Sequence, residues 1–168
     1  MRSSACIIFM DEFYFTMPTL FIMCGLPGSG KTTLAKQLEI SENALRLCPD
    51  EWIAKILVDP ANTAEMDRLR DEIESIQWEV GKRSLALGIN VILENGFWSH
   101  DERSRFRAEA EAFGARVQIH YLKADINELW RRLSIRNANL PSGTFFVHRD
   151  DLESWMKLFE PPTEDELS

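Results

Sequence analysis

Residues 20–32 have the sequence LFIMCGLPGSGKT, which is the most informative stretch of the chain for the fold. The apolar run at its start is typical of a strand buried on both faces of a parallel sheet. The segment that follows, from Gly25 to Thr32, matches the pattern G-x-x-x-x-G-K-[ST] without a mismatch. Because a helical pattern begins at Lys31, the glycine-rich loop lies between a buried strand and a helix. That context indicates a phosphate-binding loop rather than a chance turn.

The glycine-rich loop is predicted to bind the phosphates of ATP. Glycines let successive backbone N–H groups point at a phosphate, and the start of the helix adds the positive end of its dipole. Lys31 can reach the β- and γ-phosphate oxygens, and the Thr32 hydroxyl can hold Mg²⁺. Thr33 is a further candidate, although it could instead pack or form a hydrogen bond within the helix. The predicted nucleotide-binding residues are Gly25, Leu26, Pro27, Gly28, Ser29, Gly30, Lys31, Thr32 and Thr33.

Three further apolar runs predict more strands. They lie at residues 45–48, 91–93 and 117–122, and helical patterns separate them. The alternation of strands and helices predicts a single α/β domain, a P-loop domain with a parallel sheet of about four strands. Right-handed crossovers then put helices on both faces of the sheet.

Spacing of polar and apolar residues locates the helices. Ser99 with Glu102, and Asp125 with Glu128, have the spacing typical of helix starts. The longest helical pattern ends before Gly88, a suitable C-terminal cap. Its apolar stripe is expected to face the core and comprises Leu69, Ile73, Ile76, Val80 and Leu87.

Candidate catalytic residues follow the predicted strands. Ligands of parallel sheets bind at the C-terminal ends of the strands, where Gly25, Asp50 and Glu94 all lie, so one cleft is expected to hold them. Asp50 could accept the proton of an acceptor hydroxyl that attacks the γ-phosphate, or it could cap the next helix. Glu94 resembles a Walker B position that holds Mg²⁺. The alternative is that Glu94 belongs to an ordinary turn, since Asn-Gly, which follows it, is a common turn pair. Asn95 and Trp98 are candidates for contact with the acceptor.

An arginine-rich helix end predicts a lid over the phosphates. Arg132 and Arg136 are four residues apart, so they share a helix face. The Pro/Gly loop at residues 139–143 follows, where a mobile flap is expected. Guanidinium groups on such a lid can neutralise the charge of a transferring phosphoryl group. The alternative is that these cations only complement the helix dipole, but the phosphate-binding loop in the same chain favours the lid.

Composition excludes several classes of protein. The 45% hydrophobic and 27% charged residues are a globular balance, which excludes a disordered chain, collagen and a coiled coil. The net charge of −8 disfavours broad binding to duplex nucleic acid. The three cysteines have no CxxC spacing, and no apolar run approaches the ~20 residues of a membrane span. We therefore expect a cytoplasmic protein with free thiols, and nothing in the sequence indicates an obligate protein partner or a membrane.

The two ends of the chain differ from the domain between them. Residues 1–16 are expected to be a poorly ordered N-terminal extension, because Met17-Pro18-Thr19 would itself make a plausible start. The P-loop kinase domain is then residues 17–168. The acidic tail Glu164-Asp165-Glu166 is expected to be solvated.

The chain resembles the small bacterial P-loop kinases, which are grouped with zeta toxins, chloramphenicol phosphotransferase and the 5′-kinase domain of polynucleotide kinases. The resemblance runs from about Thr19 to Phe159. It rests on four motifs in order, at residues 25–32, 50–52, 91–95 and 129–137. It implies the strand order 2-3-1-4, Asp50 as general base and Arg136 as the lid arginine, with Arg132 one turn before it.

Two departures from that family bear on the acceptor. Asn95 lies near the family's acidic residue after the third strand, and Ile53 replaces the arginine that helps to hold a nucleic-acid phosphate. We therefore predict an ATP- and Mg²⁺-dependent phosphotransferase that acts on a hydroxyl of a small molecule. A polynucleotide or nucleoside 5′-kinase is one alternative, a toxin kinase acting on a cell-wall sugar nucleotide is another, and a nucleotide-binding regulatory module without an acceptor is a third.

Overall fold

The computed structural model describes residues 17–57 and 63–167. The predicted extension at residues 1–16 lies outside these ranges. In chain order the elements are β1 Thr19–Cys24, α1 Lys31–Ser41, β2 Leu45–Leu47, α2 Pro49–Ile56, α3 Thr63–Ala86, β3 Val91–Gly96, α4 His100–Ala112, β4 Arg116–Tyr121, α5 Ile126–Ala138, α6 Arg149–Leu158 and α7 Glu164–Leu167.

The four strands form one parallel sheet in the order β2-β3-β1-β4, which confirms the predicted order. β1 lies inside the sheet, with Leu20 opposite both Val91 of β3 and Val117 of β4. Leu20 to Cys24 are at most 3% exposed, as expected for a strand covered on both faces. The phosphate-binding loop therefore leaves the sheet between two neighbouring strands rather than at an edge.

Apolar residues of β1 alternate between two cores. Leu20 and Ile22 face a core that contains Trp78 of α3 and Phe106 of α4. Phe21 and Met23 face a smaller core against α1. Within the described residues, Cys24 and Cys48 are buried free thiols, and Cys6 lies outside the described ranges. No described helix has the length and apolar character needed to cross a membrane.

The apolar stripe predicted for α3 holds in part. Leu69 and Ile73 are buried and Val80 is partly buried against the main core, whereas Ile76 is 52% exposed and Leu87, just beyond the helix end, is 72% exposed. Gln77 is fully buried instead, four residues after Ile73, because residues four apart share a helix face. The expectation that Ile76 and Leu87 face the core was therefore wrong.

The predicted helix starts are confirmed at α4 and α5. The Ser99 hydroxyl accepts a hydrogen bond from the Glu102 N–H at 3.1 Å. The Asp125 carboxylate accepts bonds from the N–H groups of Asn127 and Glu128 at 3.0 and 3.1 Å. These side chains satisfy N–H groups that have no partner within the helix.

The acidic tail is not solvated as a whole. Glu164 and Asp165 are exposed, but the Glu166 carboxylate is only 10% exposed and pairs with Arg103 of α4 at 2.7 Å. Because the Arg103 side chain is 1% exposed, its charge needs a buried partner. The expectation was therefore wrong for Glu166.

Candidate active site

A cleft of about 850 Å³ opens at the C-terminal ends of the strands. Its walls come from the phosphate-binding loop, the first turns of α1 and α2, parts of α3, β3, α4, α5 and α6, and the segment at residues 144–147. The predicted site residues that line it are Pro27, Gly28, Gly30, Lys31, Thr32, Thr33, Asp50, Glu94, Asn95, Trp98, Arg132 and Arg136. Gly25, Leu26 and Ser29 lie in the buried part of the loop beneath it. One cleft thus contains the predicted residues of all four motifs.

The phosphate-binding loop needs glycine for both its conformation and its packing. Gly25, Gly28 and Gly30 have φ values of 145°, 83° and 103°, which L side chains rarely adopt. A Cβ atom on Gly28 would lie 3.0 Å from the Leu133 side chain of α5. The loop backbone therefore packs tightly beneath the helix that carries the arginines.

Lys31 turns back onto the loop. Its ammonium group donates hydrogen bonds to the carbonyl oxygens of Gly25 at 2.8 Å and Leu26 at 3.0 Å. Burial lowers the pKa of Lys31 to about 8, although Asp50 and Glu94 act in the opposite direction. A phosphate group in the loop would give this buried charge a stronger partner than carbonyl oxygens.

The threonines after Lys31 face the cleft. Thr32 and Thr33 lie in the first turn of α1, and both are exposed. Their exposure argues against the alternative that Thr33 packs within the protein. The first turn of α1 also directs its N–H groups and the positive end of its dipole at the cleft, as anion binding requires.

Asp50 does not cap its helix. Cys48 occupies the N-cap position of α2, and Asp50 lies in the first turn. The Asp50 carboxylate accepts a hydrogen bond from the Arg70 guanidinium of α3 at 2.7 Å. The side chain is 43% exposed and lines the cleft, so the N-cap alternative was wrong.

Two residues beside Asp50 have no counterpart in the sequence predictions. Arg70 lies 3.7 Å from Glu74, and both residues line the cleft. Burial raises the pKa of Glu74 to about 7, against the opposing effect of Arg70. Arg70 stands 20 residues from Asp50 in the chain, and no local pattern links them.

Glu94 is a buried carboxylate at the end of β3. It is 8% exposed and pairs with Arg46 of β2, a side chain that also binds Glu39 at 3.0 Å and Glu51 at 2.8 Å. Arg46 thus ties the ends of α1, α2 and β3 together below the cleft. This pairing compensates the buried charge of Glu94.

The residues present fit Mg²⁺ in the way that phosphotransfer sites hold it. This ion takes oxygen ligands and usually keeps several waters, so one or two protein groups suffice beside the nucleotide phosphates. Thr32 and Glu94 both line the cleft and supply such oxygens. Within residues 17–57 and 63–167, no group of three or more His, Cys, Asp or Glu side chains forms a metal site by itself.

Polar and aromatic groups line the cleft beside Asp50. The Asn95 side-chain oxygen is buried and has no hydrogen-bond partner among the described residues. The Trp98 and Trp155 rings lie 5.6 Å apart. This wall can contact the apolar surface of a small molecule, and Asn95 can accept a hydrogen bond from it.

Two arginines of α5 face the cleft. Arg132 donates to the loop carbonyls of Gly28 at 3.3 Å and Ser29 at 3.2 Å. Arg136 donates to the Phe145 carbonyl at 2.9 Å, and its Nε is buried without a partner among the described residues. Arg132 also donates to the Glu128 carboxylate at 2.7 Å. Arg131 bonds to the same carboxylate but does not line the cleft.

Comparisons with known proteins agree with this geometry. Residues 20–162 match the family described as AAA domain. No curated protein matches the chain.

Solved structures give the same fold. A Chloroflexus aurantiacus protein assigned as a kinase has 19% identity and a TM-score of 0.69, over 87% of this chain and 79% of that chain. A gluconokinase from Sinorhizobium meliloti has 17% identity and a TM-score of 0.61, over 89% of this chain and 79% of that chain. A chain of the Pnkp1/Rnl/Hen1 RNA repair complex has 22% identity and a TM-score of 0.64, over 84% of this chain and 44% of that chain. These likenesses establish a P-loop kinase-like fold, which confirms the predicted resemblance.

Proposed function

This chain belongs to the AAA domain family, and from that premise we propose that it is an ATP-dependent phosphotransferase with a hydroxyl acceptor. One observation carries the proposal. Lys31, Asp50, Arg132 and Arg136 converge on a single cleft of about 850 Å³, although they come from separate parts of the chain. A phosphate-binding loop alone is common to many nucleotide-binding proteins, whereas a carboxylate across the same cleft suits transfer to a second substrate.

The loop and Lys31 bind the phosphates of ATP, and Thr32 with Glu94 would hold Mg²⁺. When bound, that ion neutralises charge on the phosphate oxygens. Asp50 accepts the proton of the acceptor hydroxyl while the hydroxyl oxygen forms a bond to the γ-phosphorus. The bond from that phosphorus to the bridging oxygen breaks, and ADP leaves with the electron pair.

The arginines of α5 stabilise charge on the transferring group. Arg132 already contacts the loop carbonyls, and the buried Nε of Arg136 offers a donor without a partner among the described residues. Charge-assisted bonds from guanidinium to phosphate oxygens are strong and directional. Release of the Arg132 and Lys31 bonds to carbonyl oxygens would make these donors available to the nucleotide.

We propose a small molecule as the acceptor, held by Asp50, Asn95 and Trp98. The paired rings of Trp98 and Trp155 offer an apolar wall, and the Asn95 oxygen offers a hydrogen-bond acceptor. Most small-molecule sites combine such apolar walls with a few polar groups that fix orientation. The acceptor is therefore expected to have an apolar face as well as a hydroxyl.

One observation favours a second candidate, a polynucleotide or nucleoside 5′-kinase. Ile53 is buried in the core, but Arg70 of α3 brings a guanidinium to the Asp50 side chain from another direction. Such a group could bind a phosphate on an acceptor. Two facts favour the small molecule instead: Arg70 already has Asp50 and Glu74 as partners, and the further carboxylates Asp67 and Glu102 line the same cleft.

Incubation with γ-labelled ATP and a panel of acceptors tests the proposal. The panel contains antibiotics, nucleosides, sugar nucleotides and oligonucleotides with 5′-hydroxyl ends. We expect label on an acceptor that is neither a nucleoside nor a nucleic acid, and we expect Arg70→Met to retain that activity. Transfer to nucleosides or oligonucleotide ends alone would favour the second candidate, with the oligonucleotide activity lost in Arg70→Met. ATP hydrolysis with no labelled acceptor would contradict both.

A further inference from the structure

Arg103 joins three separate parts of the chain. It is 1% exposed and lies on α4. Its guanidinium donates to the carbonyl oxygens of Phe97 at 3.1 Å and Glu160 at 2.8 Å, and to the Glu166 carboxylate at 2.7 and 3.2 Å. Because a buried charge without partners is costly, these contacts strongly favour one arrangement of the three segments.

Glu166 is the charged partner that completes this arrangement. The Arg103 guanidinium lowers the pKa of Glu166 to about 2, so the pair stays charged at neutral pH. The Glu166 carboxylate also accepts a bond from the Thr163 N–H at 3.0 Å, and its backbone carbonyl accepts one from Arg107 at 2.6 Å. His100 lies 3.3 Å from the same carboxylate. The short helix α7 is thus fixed to α4 through both side chain and backbone.

The segment that this arrangement holds leads into the cleft. Phe97 has a φ of 50°, a left-handed conformation that is uncommon for a bulky residue and must be held by its surroundings. The Glu160 N–H donates to the Trp98 carbonyl at 2.9 Å, and the Glu160 carboxylate accepts a bond from the His100 N–H at 2.7 Å. The Trp98 carbonyl and the His100 N–H are therefore bonded to the C-terminal segment, and the Phe97 carbonyl before them is bonded to Arg103.

From these contacts we propose that residues 159–167, here named the C-terminal clamp, position one wall of the acceptor site. Through Arg103 and Glu166 the clamp fixes the Phe97–Trp98 backbone and so holds the Trp98 ring against Trp155 at the cleft wall. Arg103 and Glu166 are positioning residues that do not touch the reacting atoms. The proposal rests on the proposed function, since it gives Trp98 a role in acceptor binding.

The nucleotide part of the cleft is linked to the clamp indirectly, through the Phe97 carbonyl, which accepts bonds from Arg103 and, at 3.3 Å, from the Cys24 thiol. The phosphate-binding loop, α1 and the arginines of α5 lie outside the contacts that Arg103 and Glu166 make. Loss of the clamp should therefore weaken binding of the acceptor and leave ATP binding largely unchanged. A general loss of stability would weaken the binding of both substrates alike.

Glu166→Gln tests the clamp, with Glu164→Gln as the matched control. Both changes remove one carboxylate from α7, but Glu164 is exposed and Glu166 holds Arg103. We expect Glu166→Gln to raise the acceptor KM about tenfold, as small displacements of positioning groups do. The KM for ATP should stay within about twofold of the wild-type value, because ATP binding lies in a separate part of the cleft.

The fluorescence of Trp98 gives a second readout that needs no activity. The difference between each protein and its Trp98→Phe derivative isolates the Trp98 signal, and acrylamide quenching reports the exposure of the ring. We expect stronger quenching of Trp98 in Glu166→Gln than in Glu164→Gln. Equal quenching in both variants would overturn the clamp even if the protein proves to be a phosphotransferase. Altered quenching in a protein that labels no acceptor would instead overturn the proposed function alone.

Arg107→Met keeps the test decisive if Glu166→Gln fails to fold. It removes the bond to the backbone of Glu166 but leaves the buried pair with Arg103 intact. A smaller change in the same two readouts, at a similar melting temperature, supports the clamp. Readouts identical to those of wild type would contradict it.

Discussion

Replacing Asp50 with Asn removes the proposed proton acceptor while keeping the size of the side chain. The cost in stability should be small, because the Asp50 and Arg70 side chains are 43% and 33% exposed. Exposed ion pairs of this kind contribute about 1 kcal/mol or less, and Asn can still accept a bond from Arg70. At this chain length, such a loss lowers Tm by roughly 2–4 °C.

The expected effect on phosphotransfer is much larger. Loss of a general base reduces the rate by roughly 10²–10⁴-fold, which corresponds to about 2.7–5.4 kcal/mol in activation free energy. The assay compares kcat with a working acceptor, the Kd of ATP and the Tm of both proteins. Asp67→Asn is the control, since this exposed carboxylate also lines the cleft. Near-normal transfer by Asp50→Asn, or an equal loss in Asp67→Asn, would refute Asp50 as the base.

Three further predictions concern the nucleotide. Lys31→Ala should abolish transfer with little change in Tm, and wild-type turnover in this variant would contradict the loop assignment. Burial lowers the pKa of Lys31 to about 8 from the ordinary 10.5, so the free protein loses this charge as pH rises through about 8. The affinity for ATP, measured by calorimetry, should therefore fall above that pH. Lys31→Ala should not show this pH dependence. Arg136→Ala should lower kcat by about 10²-fold with little change in the Kd of ATP. The control Arg131→Ala should leave both values unchanged. A loss of ATP affinity at constant kcat in Arg136→Ala would make Arg136 a ground-state ligand.

Local patterns were enough to predict the elements around the nucleotide. The strand, loop and helix at residues 20–41 follow from an apolar run, glycines at positive φ and a helical pattern, all within one short stretch. The caps at Ser99 and Asp125 follow from spacing alone. The strand order came from the family resemblance, because hydrophobic periodicity does not specify which strands are neighbours.

Long-range polar pairs were beyond sequence reasoning. The partners Asp50 and Arg70 are 20 residues apart, and Arg103 and Glu166 are 63 apart. A charged residue on an amphipathic helix or in an acidic tail is predicted to be solvated, because the sequence pattern alone carries no information about its partner. The same reason explains why Gln77 is buried while Ile76, which was expected to face the core, is exposed: the direction of α3 relative to the sheet decides which face is buried.

Phosphotransfer can be tested by following the γ-phosphate itself. ³¹P NMR of ATP with the protein, Mg²⁺ and an acceptor from the panel distinguishes a phosphate ester from inorganic phosphate, with Lys31→Ala as the inactive control. We expect equal amounts of ADP and acceptor phosphate ester, and neither product with Lys31→Ala. ADP and inorganic phosphate as the sole products, at a rate that no acceptor changes, would contradict the proposed function.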